Sequence, residues 1–437
     1  MNTTYVHKIF MFNPSRDDDE VEALFHNRKS ELRHCIDWLC DMISCNESLV
    51  IHGESRTGKS HFLKKLILEL KKKQRPFMFH YTNANSKQTA RKVLEDIYKL
   101  LKNQIFSFKP KYDPNSLSMQ QISTIKDLLI DIDPLITGER EQMICTLTKE
   151  RISSNETICS FLPNFVQAIF QSRKELKMGE EKQWIIPLVT NENLIELIKY
   201  QGKLILELFF PEKYKAIFLA VDDLDLLCDT SQGEDQVRLL LGFLNQLSYE
   251  PIFNVIVTLR TEAFGARGKE KIPLQKIGIM EEQDQMHIYN KHLALYNDSE
   301  KVFDDIAIEY LLENSEGRIG DFLKNCHTFF HENYAVYLNN NIIKKCDISN
   351  QIQNTIKEFL MTKQTKKTMN AIIKIIQKGC QLEINKQDLF LDTDDIPEIF
   401  FDRMIEKDST NKDMYYINKL FGDVIQEMKN NGNGSPS

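Results

Sequence analysis

"SLVIHGESRTGKSHFLKKLILEL", residues 48–70, passes from an apolar run through two glycines and a lysine into a leucine-rich helical pattern. Within it, Gly53-Glu54-Ser55-Arg56-Thr57-Gly58-Lys59-Ser60 matches G-x-x-x-x-G-K-[ST] in full. The spacing has a physical reason. Glycines let successive backbone N–H groups turn inward around phosphate oxygens, and a helix starting near Lys59 adds the positive end of its dipole. Lys59 reaches the outer phosphates, and the Ser60 hydroxyl can ligate Mg²⁺. "SLVIHG" reads as the strand before the loop, and Lys59 to Lys73 as the helix after it. That context is what separates a phosphate loop from a glycine-bearing turn with a surface lysine. Residues 53–61, His61 included, form the expected nucleotide-binding segment.

Further along, "YKAIFLAVDDLDLL" (214–227) drives an apolar run into Asp222 and Asp223. This fits a buried parallel strand whose C-terminal tip points carboxylates at the nucleotide. Asp222 is expected on the Mg²⁺ shell, with Asp223 as the base that orients the attacking water. Adjacent carboxylates repel unless a cation sits near them, which is the reason to expect the metal. Asp225 reads as a turn cap or a supporting residue. "IFNVIVTLRTEAF" (252–264) is a further strand, ending in Thr258 and Arg260. These would set a hydroxyl and a guanidinium at the same sheet edge to sense the terminal phosphate, although a strand-end arginine can also be merely solvated. In "ENSEGRIGDFLKNC", Gly317-Arg318 stands at a helix start, either aiming Arg318 at the nucleotide or pairing it with a nearby glutamate.

The rest of the chain bounds the answer. Its 437 residues suffice for two or three domains, and 16 glycines with 12 prolines leave most of it for regular structure. The net charge of −7 offers no overall pull toward nucleic acid. Nine scattered cysteines lack metal-pair spacing; Cys35, Cys40 and Cys45 sit five apart. With the polar start "MNTTYVHKIF", which is no signal peptide, this predicts a reducing cytoplasm, and no apolar run spans a bilayer.

Together these residues resemble the AAA+ and STAND branch of P-loop NTPases, closest to the origin-recognition and archaeal-type ATPases. "FHNRKSEL" (Phe25, Asn27, Arg28, Glu31, Leu32) is similar to that branch's F-x-G/N-R-x-x-E-L motif. After it, in family order, come the phosphate loop, the 217–223 acidic strand, the Thr258/Arg260 sensor and Gly317-Arg318. The resemblance implies an α/β fold with a parallel five-stranded sheet, a helical lid and ATP with Mg²⁺ between them. It places Arg28 near the adenine. Asp223 stands where AAA+ enzymes usually carry Glu. Being one methylene shorter, it implies slow hydrolysis, as in a switch. The implied intersubunit arginine has two candidates, Arg238 and Arg267.

The expected plan is a lead-in over 1–19, an ATPase core over 20–270 with a helical insertion at 105–200, a lid over 271–345, a winged-helix-like domain over 355–430 and a disordered tail at 431–437. The winged helix is similar to those that follow such lids, with a wing turn at Ser409–Lys412 and a strand "MYYIN". Its Asp392, Asp394, Asp395, Glu398 and Asp402 balance its lysines, and only Leu360–Lys378 forms a local basic segment. A protein-packing role is therefore favoured over contact with DNA. The family-level expectation is an ATP-driven switch that controls self-association or docking of an effector, as in antiphage defence. The alternative is a DNA-handling initiator or transposition regulator. A small-molecule kinase fits less well, because its plan has no C-terminal winged helix.

Overall fold

The computed structural model describes residues 10, 17–41, 48–72, 77–84, 88–108, 122, 125–127, 129–130, 133, 136, 142–147, 182–187, 189–210, 213–229, 233–261, 274–296, 301–340, 342–361, 384–385, 405–407, 414–417, 420–421 and 424. At its centre lies a parallel sheet of five strands: β1 (Leu49–Gly53), β2 (Phe77–Asn83), β5 (Ala216–Asp222), β6 (Phe253–Arg260) and β7 (Leu274–Lys276). Their spatial order is β2-β5-β6-β1-β7. β5 is buried at every position and β6 at all but its last, as expected of central strands covered on both faces.

Register matters most for function. Gly53 pairs with Arg260, Ile51 with Thr258, and Asn83 with Asp222. Four strands far apart in sequence thus deliver their last residues to one sheet edge. In open α/β sheets that carboxyl edge is where ligands bind.

Helices cover both faces. On one side α2 (Lys29–Asp41) and α3 (Lys59–Lys72) bury Leu39, Phe62 and Leu66 against Phe218 and Ile256. On the other, α4 (Ala90–Ser107), α5 (Asn191–Lys203) and α6 (Gly233–Ser248) build a larger core on Ile217, Leu219 and Val255. Thr89 and Thr190 cap α4 and α5, each accepting a backbone N–H at 3.2 Å, which satisfies donors a helix start leaves orphaned. The apolar "LILELF" after α5 winds on as a π-helix, Leu204–Phe209.

Three features differ from the sequence reading. The helical spacing from Glu20 to Met42 reads as one helix, but α1 (Asp18–Leu24) stops before α2 begins, because Asn27 takes a left-handed φ of 38°. Asparagine tolerates that backbone, and periodicity does not register it. Secondly, the 105–200 insertion, read as helical, also holds an antiparallel ribbon of β3 (Gln142–Leu147) and β4 (Lys182–Pro187). Thirdly, Phe10, from the lead-in, is fully buried in the lid, stacked on Tyr289 at 5.1 Å.

The lid comprises α7 (Glu282–Tyr296), α8 (Asp305–Glu313), α9 (Ile319–Glu332), α10 (Tyr334–Asn340) and α11 (Lys345–Met361). α11 crosses the boundary expected between lid and winged helix. Leu420, Phe421 and Val424 share the lid core. A small antiparallel sheet, in the order β8-β10-β9, joins Ile384–Asn385, Met414–Ile417 and Ile405–Lys407. The wing turn, the five acids, most of the basic segment and the tail lie outside the described residues. No described helix is long and apolar enough to cross a membrane.

Gly53 marks how closely β1 and the chain after β7 approach. A Cβ there would sit 2.2 Å from the Ile277 carbonyl oxygen, a backbone atom that cannot step aside. Gly53→Ala should therefore destabilise the fold by about 1–3 kcal/mol or more. A lowered melting temperature checks this, and an unchanged one contradicts it.

Candidate functional site

The phosphate loop leaves β1 at Gly53 and enters α3 at Lys59. Gly58 adopts φ 91°, and Arg56 holds φ 59° despite its side chain. The Thr57 hydroxyl donates to the Glu54 carbonyl at 3.0 Å, tightening the turn, while Thr57 itself is buried. Lys59 is also buried, and its Nζ donates to the carbonyls of Gly53 at 3.1 Å and Glu54 at 2.7 Å. Burial lowers its pKa, opposed chiefly by Asp225 and then by Asp223 and Asp222. A buried ammonium with acidic neighbours is a fixed cation at the head of a helix.

A cleft of about 360 Å³ opens between the sheet edge and the lid. Ser55, Arg56, Gly58, Lys59, Ser60 and His61 line it from the loop side, with Asp223, Asp225 and Arg260 from the strand ends. Leu24, Phe25, Met280, Ile288 and Leu323 make its other arm apolar. His61 stacks on Phe25 with ring centroids 6.2 Å apart and planes 9° apart, and burial holds its pKa down to about 4. One arm is thus charged and polar, and the other suits a flat apolar group.

Arg28 sits in the cleft wall and ties the segment after α1 to both loop and lid. Its Nη2 donates to the carbonyls of Thr57 at 3.0 Å and Gly278 at 2.9 Å. Burial lowers its pKa to about 10. Nearby, the lid grips the same segment, with Lys291 Nζ 2.8 Å from the Phe25 carbonyl and Asp284 accepting from Asn27.

The two sequence-adjacent acids are placed differently. Asp222 has no solvent exposure and lies beneath the cleft, outside its wall. Its oxygens accept from the hydroxyls of Tyr81 and Thr258 and from the Asp223 backbone N–H at 3.1 Å. Thr258 Oγ1 also accepts the Asp223 N–H at 2.9 Å, so Thr258, fully buried and outside the cleft wall, serves the acidic turn. Asp223 is in the wall, with φ 55°. Burial first, then Asp222 and Asp225, raises its pKa to about 7.

Arg318 does not line the cleft. Its Nε pairs with Asp321 at 2.9 Å and its Nη2 approaches Glu316 at 3.6 Å, which is the local-pairing alternative. Asp321 also takes Arg56, and the Gly320 N–H donates to the Arg56 carbonyl at 2.8 Å. The start of α9 is therefore fastened to the phosphate loop. Arg238 is exposed on α6, 4.0 Å from Asp235, and Arg267 lies outside the described residues.

From the sequence Asp225 reads as a supporting residue, and neither Tyr81 nor Asp321 stands out as a site residue. Asp225 could have been found from the D-D-x-D spacing, which returns a carboxylate to the edge after one tight turn. Tyr81 carries no motif signal. Its contact with Asp222 exists only because β2 and β5 are neighbours.

Among the described residues no three His, Cys, Asp or Glu side chains gather as a protein-only metal cage. Mg²⁺ bound along with a nucleotide needs only one or two carboxylates beside phosphates and water. Ser60 and Asp223 supply hard oxygen donors in one cleft, so the donor chemistry fits that ion.

No family's sequence profile matches the chain, and no curated protein does. Among solved structures, it is similar to the Aeropyrum pernix ORC1 protein in complex with DNA. That pair shows 10% identity over 92% of this chain and 93% of the other, with a TM-score of 0.45. It is also similar to the Aeropyrum pernix ORC2 protein in its ADPNP–ADP complexes, at 11% identity over 97% and 98%, with a TM-score of 0.40.

Proposed function

We propose that the chain is an ATP-binding, slowly hydrolysing molecular switch, in which nucleotide in the cleft draws lid and sheet together and so governs self-association or docking of an effector protein. One observation carries this reading: a single cleft is walled both by the phosphate loop and by the lid residues Met280, Ile319, Gly320 and Leu323. A ligand touching both walls stabilises their closed arrangement by its differential affinity.

In this reading the N–H groups of residues 54–59 and the Lys59 ammonium hold the phosphates. The adenine enters the apolar arm beside Phe25 and His61, with Arg28 fixing that wall. Ser60 and the acidic strand end would hold Mg²⁺, with Asp223 facing the cleft and Asp222 setting its direction from beneath. Bound there, the ion would neutralise phosphate charge. A carboxylate oxygen of Asp223 accepts the proton of the attacking water, and Arg260 meets charge that develops on the terminal phosphate. The long insertion in a compact one-chain plan favours the antiphage-defence setting among those the family resemblance implies.

The test is affinity for ATP together with particle size by light scattering, with and without a non-hydrolysable ATP analogue. Micromolar binding and a change in mass or radius are expected; no binding removes the reading. A second reading, DNA handling, draws on the antiparallel sheet of 384–417, a strand plan a winged helix needs. It requires duplex affinity that falls with salt and rises with ATP.

A further inference from the structure

Asp225 does more than end a turn. It lies on the 3₁₀ segment Leu224–Asp229 directly after β5, buried in the cleft wall. Its two oxygens hold one residue. Oδ1 accepts the backbone N–H of Arg260 at 3.0 Å, and Oδ2 pairs with Arg260 Nε at 2.8 Å. A carboxylate that grips both main chain and Nε fixes the root and the direction of the guanidinium. Among the described residues the Nη groups of Arg260 make no hydrogen bond, and its side chain stays 30% exposed at the cleft. The fork is therefore pre-aimed with its end free. Asp225 is also the leading acidic influence on Lys59, so one carboxylate stands between the two cations that face the phosphate end.

We propose that Asp225 is a positioning residue, which holds Arg260 toward the terminal phosphate so that the chain distinguishes a nucleoside triphosphate from a diphosphate. This rests on the nucleotide reading of the cleft. The physical reason is pre-organisation. An arginine already fixed at its root loses little freedom on meeting a phosphate, and only a triphosphate extends far enough to meet it.

The experiment measures affinities of fluorescent ATP and ADP analogues with Mg²⁺ on the full chain for wild type, Asp225→Ala, Arg260→Ala and the double variant. Asp225→Ala should weaken the triphosphate on the order of 10-fold, the scale of one charge-assisted hydrogen bond, and leave the diphosphate within about 2-fold. The double variant should match Arg260→Ala alone, since the two side chains act as one unit. Equal losses for both nucleotides, or losses that add, overturn the proposal while the reading of the cleft stands. A wild-type chain that binds neither nucleotide overturns both. Should Asp225→Ala fail to fold, the isosteric Asp225→Asn takes its place in the same comparison, with selective triphosphate loss supporting the proposal and equal loss refuting it.

Discussion

Lys59→Ala should lose ATP affinity on the order of 100-fold while the protein stays folded. The lysine is buried at the start of α3, where its Nζ donates to the carbonyls of Gly53 and Glu54, and its ammonium is the fixed cation of the loop. Each charge-assisted hydrogen bond contributes roughly 1.5–3 kcal/mol, so a lysine that meets two phosphate oxygens is enough for that loss. Removing it also leaves Asp223 and Asp225 facing the incoming anion with less compensation. Calorimetric titration with an ATP analogue checks this. An affinity equal to wild type would remove Lys59 from the site. Circular dichroism on the same samples separates lost binding from lost fold.

Asp223→Ala should do the reverse, keeping ATP bound while multiple-turnover hydrolysis falls by about 10²–10⁴-fold, the usual contribution of a positioned general base. Asp223 is the acid of the sequence pair that lines the cleft, and its backbone N–H is fixed by Asp222 and Thr258. Its φ of 55° adds a control. Alanine in a left-handed position carries a backbone penalty of about 1–2 kcal/mol, whereas asparagine tolerates it. Asp223→Asn should therefore show the same hydrolytic loss with a higher melting temperature than Asp223→Ala. Phosphate release under multiple turnover is the measurement, and steady turnover in either variant would exclude the role. With closure tied to the triphosphate, the alanine variant should also keep the ATP-dependent particle size expected in the light-scattering test.

The parts legible in the sequence were those with a local cause. The loop at 53–60 is specified by glycine conformational freedom and by its position between an apolar strand and an amphipathic helix. The strands that end in Asp222 and Arg260 announce themselves as apolar runs closed by polar residues, as central parallel strands must. What stayed hidden was pairing. The phenol of Tyr81 reaches Asp222 across 141 positions of chain, and the guanidinium of Arg56 reaches Asp321 across 265. No spacing rule encodes such contacts. The break at Asn27 was hidden for a related reason: helical periodicity continues through it, and residues 250 or more positions away hold it in place.

By itself, the sequence determined a G-x-x-x-x-G-K-S loop on a parallel sheet, with acids, a threonine and an arginine closing two further apolar strands, because each depends on neighbours a few residues apart. Only the tertiary structure decided which acid faces the cleft, that Arg318 turns to Asp321, and that Asp225 grips Arg260. Those outcomes depend on strand order and on how the lid seats against the loop. Both are set by the burial of whole faces, which no single stretch of residues contains.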